Sequence, residues 1–503
     1  MNELNLSMFR AYDIRSAARD LTPELAARLA AAQARYFREV LGVPGVIVAH
    51  DARASGPAYL YQAAGIFQQA GLDVLYLPGP SSASHFYFTA MQHPECAAVM
   101  FGASHNPAGD TGQKLLGAGV RPLARHIGPE GGLDCIQQLY RQGADSPRAA
   151  SPGRLVTLDN MAEYVSCSLE LAGVAPGALA GVPVLQDYLF GSGGREMMLA
   201  FGQAGAALLP LHYPPDGTFP LGDPNPVKPE LVREGLAALR EGDFLLATFF
   251  DGDADRMDVY AGDGTYLASS FVYAAILPLV LASFPQRPVG VFADLKSNPL
   301  AVMEMARAGA GVGVIRNGHS QIKAALFADP GMVGAVEESA HFYQAFSYQG
   351  RGPYCTENTL YIALLVTRAW REQPARFAEL LALQARTQRE REWGHYFQSD
   401  AQRTRALEAV QAHFASLGAQ ARQEGAGGLE LEATLIRRGL PFAITQDTVP
   451  APDWLQVCQR LSQSENGLAR WEVVAATREL ATQARADILR LAREHGGSEP
   501  HQG

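Results

Sequence analysis

Cysteine is scarce in this sequence, and no stretch is both long and strongly apolar. The five cysteines include no Cys-x-x-Cys pair, which excludes a disulfide framework and a cysteine-based zinc site and favours a reducing, cytoplasmic environment. The most apolar run, residues 271–284, is interrupted by Pro278 and is too short to cross a bilayer, so we expect a buried helix there and no membrane partner. Residues 1–15 also lack the apolar core of a signal peptide.

Basic residues are not in excess either. The 503 residues carry 41 Lys+Arg against 51 Asp+Glu, a formal net charge of −10, which argues against nucleic acid as a partner. An anionic small substrate is still compatible with this balance, because local charge decides such binding. With 48% hydrophobic residues, the chain has enough apolar material for three or four globular domains.

One pattern occurs three times: an apolar strand that ends in aspartate, a helix-length segment, and a second short strand. The three strands are GVIVAHD (45–51), GVPVLQD (181–187) and VGVFAD (289–294). Near-continuous apolar runs are typical of strands buried on both faces of a parallel sheet, so the pattern predicts three α/β units. Ligands of open α/β sheets bind beyond the carboxyl ends of the strands, and we expect the loops of the three units to share one site.

The last part of the chain has a different composition, rich in Gln, Arg, Glu and Ala. It contains a strand-like WEVVAA (471–476), then an amphipathic helix, and we expect its tail, GGSEPHQG (496–503), to be disordered. The predicted fold class is therefore α/β, with three consecutive α/β domains of mixed, largely parallel sheets and a smaller α+β C-terminal domain. We place these domains at residues 1–155, 156–262, 263–372 and 373–503.

The strongest chemical signal lies where a buried strand, residues 244–250, runs directly into Asp251, Asp253 and Asp255. In extended backbone, alternate side chains share one face, so the three carboxylates lie together. They repel one another unless a cation lies among them, and hard oxygen ligands suit Mg²⁺ or Ca²⁺. An EF-hand is excluded because Arg256 occupies the position that requires glycine. The remaining alternative is a solvated acidic turn.

A second loop presents a serine. In MFGASHNPAGDTGQKLL (100–116), Ser104 follows an apolar run and precedes the turn dipeptide Asn106-Pro107. The G-x-S-x-G elbow of the α/β-hydrolases is absent, since Ser104 sits in F-G-A-S-H-N. On this stretch alone an ordinary surface loop explains the residues better than a catalytic one, and the decision depends on the rest of the chain.

Several further motifs accompany these two loops. In chain order they are FRAYDIR (9–15), ASHNP (103–107) with GQK (112–114), PDGTFPLGDPNP (215–226), DGDADR (251–256), IRNGHSQIK (315–323), VEESAHFY (336–343) and RLSQSEN (460–466). In this order the chain resembles the α-D-phosphohexomutases, most closely the bacterial phosphomannomutase/phosphoglucomutase type. The resemblance spans nearly the whole chain, and it implies four domains around one central cleft.

The resemblance also implies a reaction. Ser104 would be phosphorylated in the resting enzyme, and its phosphate would complete the shell of a Mg²⁺ ion held by Asp251, Asp253 and Asp255. The phosphoryl group would pass to a hexose monophosphate and give glucose 1,6-bisphosphate or mannose 1,6-bisphosphate, which serves as intermediate and activator. This intermediate would turn over in the site and return its other phosphate to Ser104. We expect a small-molecule sugar phosphate as the partner, and a monomer or homodimer.

The remaining candidate residues follow from the matched motifs. Lys114 and His341 are the candidates for general base and acid, and Arg15 and Arg256 would stabilise charge on the moving phosphoryl group. The residues expected to line the substrate site are Tyr12, Lys296, His319, Glu337, Ser339, Arg460, Ser462, Gln463 and Ser464.

The chain departs from the family pattern at several points. Gly102 stands where the family usually has threonine, Ala340 replaces a glycine before His341, and RLSQSEN differs from a pattern closer to R-x-S-[GN]-T-E-P. Three alternatives therefore stay open: a mutase for another hexose such as glucosamine, a catalytically weak regulatory paralogue that binds sugar phosphates, and a Mg²⁺-dependent phosphatase. Rotation of the fourth domain over the substrate is also a prediction.

Overall fold

The aspartate-ending strands of the repeat all form, and their side chains are almost entirely buried in the computed structural model. The structure describes residues 4–143, 147–285, 288–462 and 467–502. It divides into two compact units: the first contains 1–267, 319–330 and 339–372, and the second contains 268–318, 331–338 and 373–503. The mixed sheets and their helices confirm the predicted α/β class, while the four domain boundaries stay predictions.

The first sheet has a parallel centre and an antiparallel side, in the order β1-β5-β4-β2-β3-β7 with β6 on β5. Its region contains β1 (Ile14–Ala17), α1 (Pro23–Arg35), β2 (Gly45–His50), α2 (Gly56–Gln69), β3 (Asp73–Pro80), α3 (Ala83–Gln92), β4 (Ala97–Phe101), β5 (Asp110–Gly117), β6 (Arg121–Pro122), α4 (Leu133–Gln142) and β7 (Leu155–Thr157). Strands β2 and β4 are parallel neighbours, so Asp51 and Ser104, which follow them, lie beyond the same edge of the sheet.

Local sequence explains several helix ends in this region. The Ser82 hydroxyl accepts a hydrogen bond from the His85 amide and caps α3. Gly71, with φ of +80°, follows the end of α2 as expected for a helix stop. Ser55 precedes α2, but its hydroxyl makes no capping hydrogen bond, because Ser55 itself has helical backbone angles.

The second sheet has the order β12-β11-β10-β8-β9 and completes the long N-terminal segment of the first unit. Its region contains α5 (Met161–Leu171), β8 (Pro183–Asp187), α6 (Gly194–Gln203), β9 (Ala207–Leu211), α7 (Pro229–Glu241), β10 (Leu246–Phe250), β11 (Met257–Ala261) and β12 (Tyr266–Leu267). Strand β10 is buried at every residue and pairs in parallel with β8, which places the three aspartates just beyond its carboxyl end.

The third region contributes to both units. Its second-unit elements are α8 (Ser269–Ala282), β13 (Gly290–Asp294), α9 (Pro299–Arg307), β14 (Gly311–Ile315) and β15 (Met332–Glu337), whose strands pair in parallel around β13. Its first-unit elements are α10 (His319–Ala328), the antiparallel pair β16 (His341–Tyr348) and β17 (Arg351–Glu357), and α11 (Thr359–Glu372). Helix α8 contains Pro278 and is mostly buried, as predicted. Among the described residues, no helix combines the length and the apolarity that a membrane span requires.

The C-terminal part of the second unit has an antiparallel sheet in the order β19-β20-β21-β22-β18-β23. It contains α12 (Pro374–Gln384), β18 (Gln388–Tyr396), α13 (Asp400–Ser416), β19 (Gln420–Glu424), β20 (Glu430–Arg438), β21 (Leu455–Leu461), β22 (Leu468–Ala475), α14 (Arg478–Glu494) and β23 (His501–Gln502). The expectation of a disordered tail is wrong for its described part. The Ser498 amide donates to the Tyr396 carbonyl at 2.9 Å, and the final strand pairs with the edge of β18.

Candidate active site

The Ser104 loop is held by a buried arginine. Ser104 has φ of +50°, in the left-handed region that non-glycine residues seldom occupy. Arg53 donates to the Ser104 carbonyl at 2.8 Å and to the Asn106 carbonyl at 2.6 Å, and pairs with Asp51 at 3.1 Å. The Arg53 and Asp51 side chains are both fully buried. This pair therefore fixes the backbone that presents the serine.

Gly102 explains how the loop approaches this pair. The Ala103 amide donates to Asp51 Oδ2 at 2.9 Å, and a Cβ atom on Gly102 would lie 2.5 Å from that same oxygen. A side chain at position 102 would have to displace Asp51. The absence of the family's threonine thus has a local reason in this chain.

The three aspartates form one buried cluster around the serine hydroxyl. Ser104 Oγ donates to Asp251 Oδ2 at 2.5 Å, and one carboxylate oxygen from each of Asp251, Asp253 and Asp255 lies within 4.8 Å of the others. Asp253 Oδ1 and Asp255 Oδ1 are buried and have no hydrogen-bond partner among the described residues. Carboxylates with free lone pairs beside a hydroxyl oxygen suit a hard divalent cation, so the donor set fits Mg²⁺.

Lys114 lies against this cluster. Its Nζ donates to Asp253 Oδ2 at 2.6 Å and also to Asp255 Oδ2. Burial lowers the pKa of Lys114, but the two carboxylates raise it by more, so the net pKa is well above the ordinary value for lysine. Lys114 is therefore a fixed positive charge, which suits an electrostatic role better than a general base.

His341 accepts a hydrogen bond from Arg256 and has two carboxylates nearby. Arg256 Nε donates to His341 Nε2 at 3.1 Å, so this nitrogen is an acceptor and the proton of the neutral ring is on Nδ1. Nδ1 lies 3.8 Å from Asp255 Oδ1 and 3.9 Å from Glu357 Oε1. Glu357 in turn pairs with Lys323 at 3.1 Å, and both are buried. Two of the predicted site residues, Arg256 and His341, are thus in contact.

The N-terminal motif reaches the same part of the first unit. Arg15 Nε donates to Asp13 at 2.7 Å. Burial lowers the pKa of Arg15, but Asp13 raises it by more, so the net pKa lies above the ordinary value for arginine. The Tyr12 ring lies edge-on to His319, with ring centroids 5.2 Å apart. Burial, followed by the charges of Lys323 and others, holds the pKa of His319 well below its usual range, so this ring is neutral.

Other predicted substrate residues lie in the second unit. Lys296 Nζ lies 3.8 Å from a Glu392 carboxylate oxygen, and Arg460 donates to the same carboxylate at 2.9 Å. Glu337 accepts from the Gly318 amide at 3.0 Å, in a separate cluster with Asn317. Of the remaining candidates, Ser339 is half-buried in the first unit and the Ser462 amide donates to the Leu468 carbonyl, whereas Gln463 and Ser464 lie outside the described residues.

Sequence reasoning missed several residues that contact the predicted site residues of either unit. His105 Nδ1 lies 3.2 Å from Ser104 Oγ, and removal from solvent, then Arg256, holds its pKa well below the usual range. Arg53 was also missed, although an arginine two residues after a strand-ending aspartate is a detectable signal. Glu392 and Arg470 had no comparable signal, since their contact depends on the pairing of separate strands.

Two family models match the chain. The model described as "Phosphoglucomutase/phosphomannomutase, alpha/beta/alpha domain I" covers residues 6–127, and that for domain II covers residues 162–264. A phosphomannomutase from Salmonella montevideo is 27% identical over 361 residues, which is 69% of this chain and 75% of the relative. Residues 6–127 and 162–264 of this chain are thus similar to domains I and II of the phosphoglucomutase/phosphomannomutase family.

A second relative and a solved structure are also similar to this chain. A phosphoglucomutase from Neisseria gonorrhoeae is 27% identical over 354 residues, which is 68% of this chain and 71% of the relative. The crystal structure of a phosphoglucomutase/phosphomannomutase family protein from Burkholderia thailandensis has the same fold, with a TM-score of 0.77 at 22% identity and 98% of both chains covered.

Proposed function

We propose that this chain is a phosphohexomutase that interconverts the 1-phosphates and 6-phosphates of glucose, of mannose, or of both. One observation carries the proposal: the hydroxyl of a conformationally strained serine donates to one of three clustered buried aspartates. Its relatives named phosphomannomutase and phosphoglucomutase support the substrate class. In this proposal Ser104 carries the phosphoryl group, and glucose 1,6-bisphosphate or mannose 1,6-bisphosphate primes it.

The chemistry required is displacement at phosphorus. The bond between Ser104 Oγ and phosphorus breaks as a hexose hydroxyl oxygen forms a new bond to phosphorus, and the hydroxyl proton goes to a base. The reverse transfer then takes the other phosphate of the bisphosphate back to Ser104. Such transfer needs positioning and charge neutralisation more than covalent chemistry, which fixed cations such as Arg15, Arg256 and Lys114 provide. Mg²⁺ bound to Asp251, Asp253 and Asp255 would neutralise charge on the phosphoryl oxygens.

Proton transfer is best assigned to His341. Its neutral ring can gain a proton, whereas Lys114 is held protonated by two carboxylates. The hydrogen bond from Arg256 occupies the basic nitrogen of His341, so a substrate must displace that contact before the ring can act as the base. Lys114 would then serve as a fixed positive charge beside the metal ligands.

The test is mutase turnover with Mg²⁺ and a trace of glucose 1,6-bisphosphate. Glucose 1-phosphate, mannose 1-phosphate and glucosamine 1-phosphate are compared side by side, and both the 6-phosphates and free phosphate are measured. We expect turnover of the first two sugars without accumulation of free phosphate. Turnover of glucosamine 1-phosphate alone, or phosphate released as fast as isomer, would favour the other-hexose or the phosphatase alternative.

Ser104→Ala should abolish turnover and the phosphoryl adduct seen by intact mass, because no hydroxyl remains to carry the group. Ser151→Ala, at an exposed serine of the same region, is the matched control and should retain both. Near-normal turnover by Ser104→Ala would contradict the proposed role. Sugar-phosphate binding by the phosphorylated wild-type chain without turnover would instead indicate a regulatory paralogue.

A further inference from the structure

Glu392 occupies an irregular position in the C-terminal sheet. The pairing of β18 with β22 shifts register between Glu390 and Trp393, so Glu392 lies within a bulge. Bulges re-aim side chains and are common beside functional sites. Here the side chain of Glu392 is 18% exposed and lies against residues of two other strands.

Those strands bring two arginines into direct opposition. Arg460 on β21 and Arg470 on β22 are cross-strand partners, an arrangement that like charges disfavour. Glu392 lies between them: Arg460 Nη2 reaches Oε1 at 2.9 Å and Oε2 at 3.0 Å, and Arg470 Nη1 reaches Oε1 at 3.2 Å. The Glu392 carboxylate therefore accepts hydrogen bonds from both guanidinium groups.

A third cation completes the cluster. Lys296 Nζ lies 3.8 Å from Glu392 Oε2, and its side chain is 10% exposed. Burial raises the pKa of Glu392, but Arg460, Lys296 and Arg470 lower it by more, to about 2, so the carboxylate is ionised at neutral pH. Three cations converging on one carboxylate form a site whose donors also suit a phosphate. Glu472, a nearby carboxylate, is instead paired with Arg389.

We propose that Glu392 is a built-in competitor at an anion site formed by Arg460, Arg470 and Lys296, and that a phosphate group binds there only when it displaces this carboxylate. The identity of the phosphate as that of a sugar phosphate rests on the proposed function; the competition itself does not. Glu392 thereby sets the affinity for the phosphate that does not react. A tethered carboxylate that holds the same donors must lower that affinity, since its contacts are lost on binding.

The experiment measures binding by calorimetry on the full chain carrying Ser104→Ala, so that no phosphoryl transfer occurs. Inorganic phosphate and glucose 6-phosphate are titrated into this protein with and without Glu392→Gln. We expect both ligands to bind about tenfold more tightly when the carboxylate is removed, which corresponds to about 1.4 kcal/mol. Glu390→Gln is the matched control, because Glu390 lies on the same strand but pairs with Arg485 at 3.6 Å, and it should give no gain.

A second variant locates the gain. Adding Arg470→Gln to Glu392→Gln should abolish it, whereas a gain that persists would place the binding elsewhere and overturn the proposal. If folded Glu392→Gln binds phosphate equally or less tightly, Glu392 is a structural counter-ion only and the proposal is overturned. If Glu390→Gln gives an equal gain in affinity, the gain comes from the change in net charge and the proposal is also overturned. If Glu392→Gln does not fold, Glu392→Asp, whose shorter carboxylate holds the arginines less well, should also bind phosphate more tightly, and weaker binding would overturn the proposal.

Turnover distinguishes this inference from the proposed function. In the chain with Ser104 intact, Glu392→Gln should lower KM for the sugar phosphate and leave kcat nearly unchanged, as expected for a contact made equally in the ground and transition states. The two proposals can fail separately. If the wild-type chain shows no mutase turnover but Glu392→Gln still binds phosphate more tightly than its parent, the proposed function is refuted and the competition is supported.

Discussion

The first two sheets use the same strand-end aspartate in different ways. Asp51 follows β2 and pairs with Arg53, while Asp187 ends β8 and pairs with His212 at 2.7 Å. Both carboxylates are fully buried. Arg53 is charged at any pH of interest, whereas a histidine gains and loses its proton near neutrality.

The difference follows from what each loop must hold. Asp51 and Arg53 fix the strained backbone at Ser104, where a partner that could lose its charge would leave a buried carboxylate alone. Asp187 accepts from the Leu189 amide at 3.0 Å as well as from His212, in a loop for which we propose no reacting group. A permanent cation thus lies where the proposed chemistry is, and a titratable one where it is not.

Replacing Arg53 should have the largest effect on stability. Arg53→Met leaves Asp51 buried without its cation and removes the hydrogen bonds to the Ser104 loop, so we expect a loss of about 3–5 kcal/mol in the free energy of unfolding. Denaturant unfolding with an unchanged m-value would measure it. Turnover per folded molecule should fall as well, because Ser104 is no longer held in its left-handed conformation.

Arg154→Met is the control for this prediction. Arg154 pairs with Asp73 in the same region, but its side chain is 80% exposed, and solvent-exposed ion pairs contribute little. Similar losses in the two variants would show that the buried pair is no more important than a surface one.

Removing the metal should have the next largest effect. Among the described residues, the aspartate cluster is paired with Lys114 but with no arginine side chain of the kind that Asp51 has. Mg²⁺ should therefore stabilise it, by about 2.7 kcal/mol at a hundredfold excess over Kd. Chelation should abolish turnover and lower the melting temperature, and Asp253→Asn should remove most of the response to Mg²⁺.

Asp243→Asn tests whether this response is specific. Asp243 is an exposed aspartate near the opposite end of the same strand, and its replacement should leave the Mg²⁺-dependent rise in melting temperature intact. A rise that survives in Asp253→Asn would instead place the cation outside the predicted cluster.

Contiguous segments explain what could be predicted from sequence. The strands of the repeat and the strand before Asp251 carry their burial in their own apolar residues, and they form as expected. The aspartates cluster because the three side chains belong to one short loop. By contrast, Arg53 donates to carbonyl groups of residues 104–110, which are distant in sequence. Glu392 contacts Arg460 only because the strand pairing shifts register. Local sequence patterns predict neither contact.

The smallest effect should come from the histidine that partners Asp187. The hydrogen bond with Asp187 raises the pKa of His212 in the folded chain, against a smaller opposing effect of burial. Because the folded pKa lies above the unfolded value of 6.5, this stabilisation is complete below about pH 6.5 and is lost as the pH rises through the folded pKa. The free energy of unfolding should therefore fall over that interval, by less than about 1 kcal/mol, since the second partner, Glu234, is 70% exposed.

His212→Asn should flatten this dependence of the free energy of unfolding on pH, while His126→Asn, at a side chain that is 87% exposed, should not. An unchanged slope in His212→Asn would mean that Asp187 is held by backbone contacts alone, and the contrast between its partner and Arg53 would then have no energetic consequence.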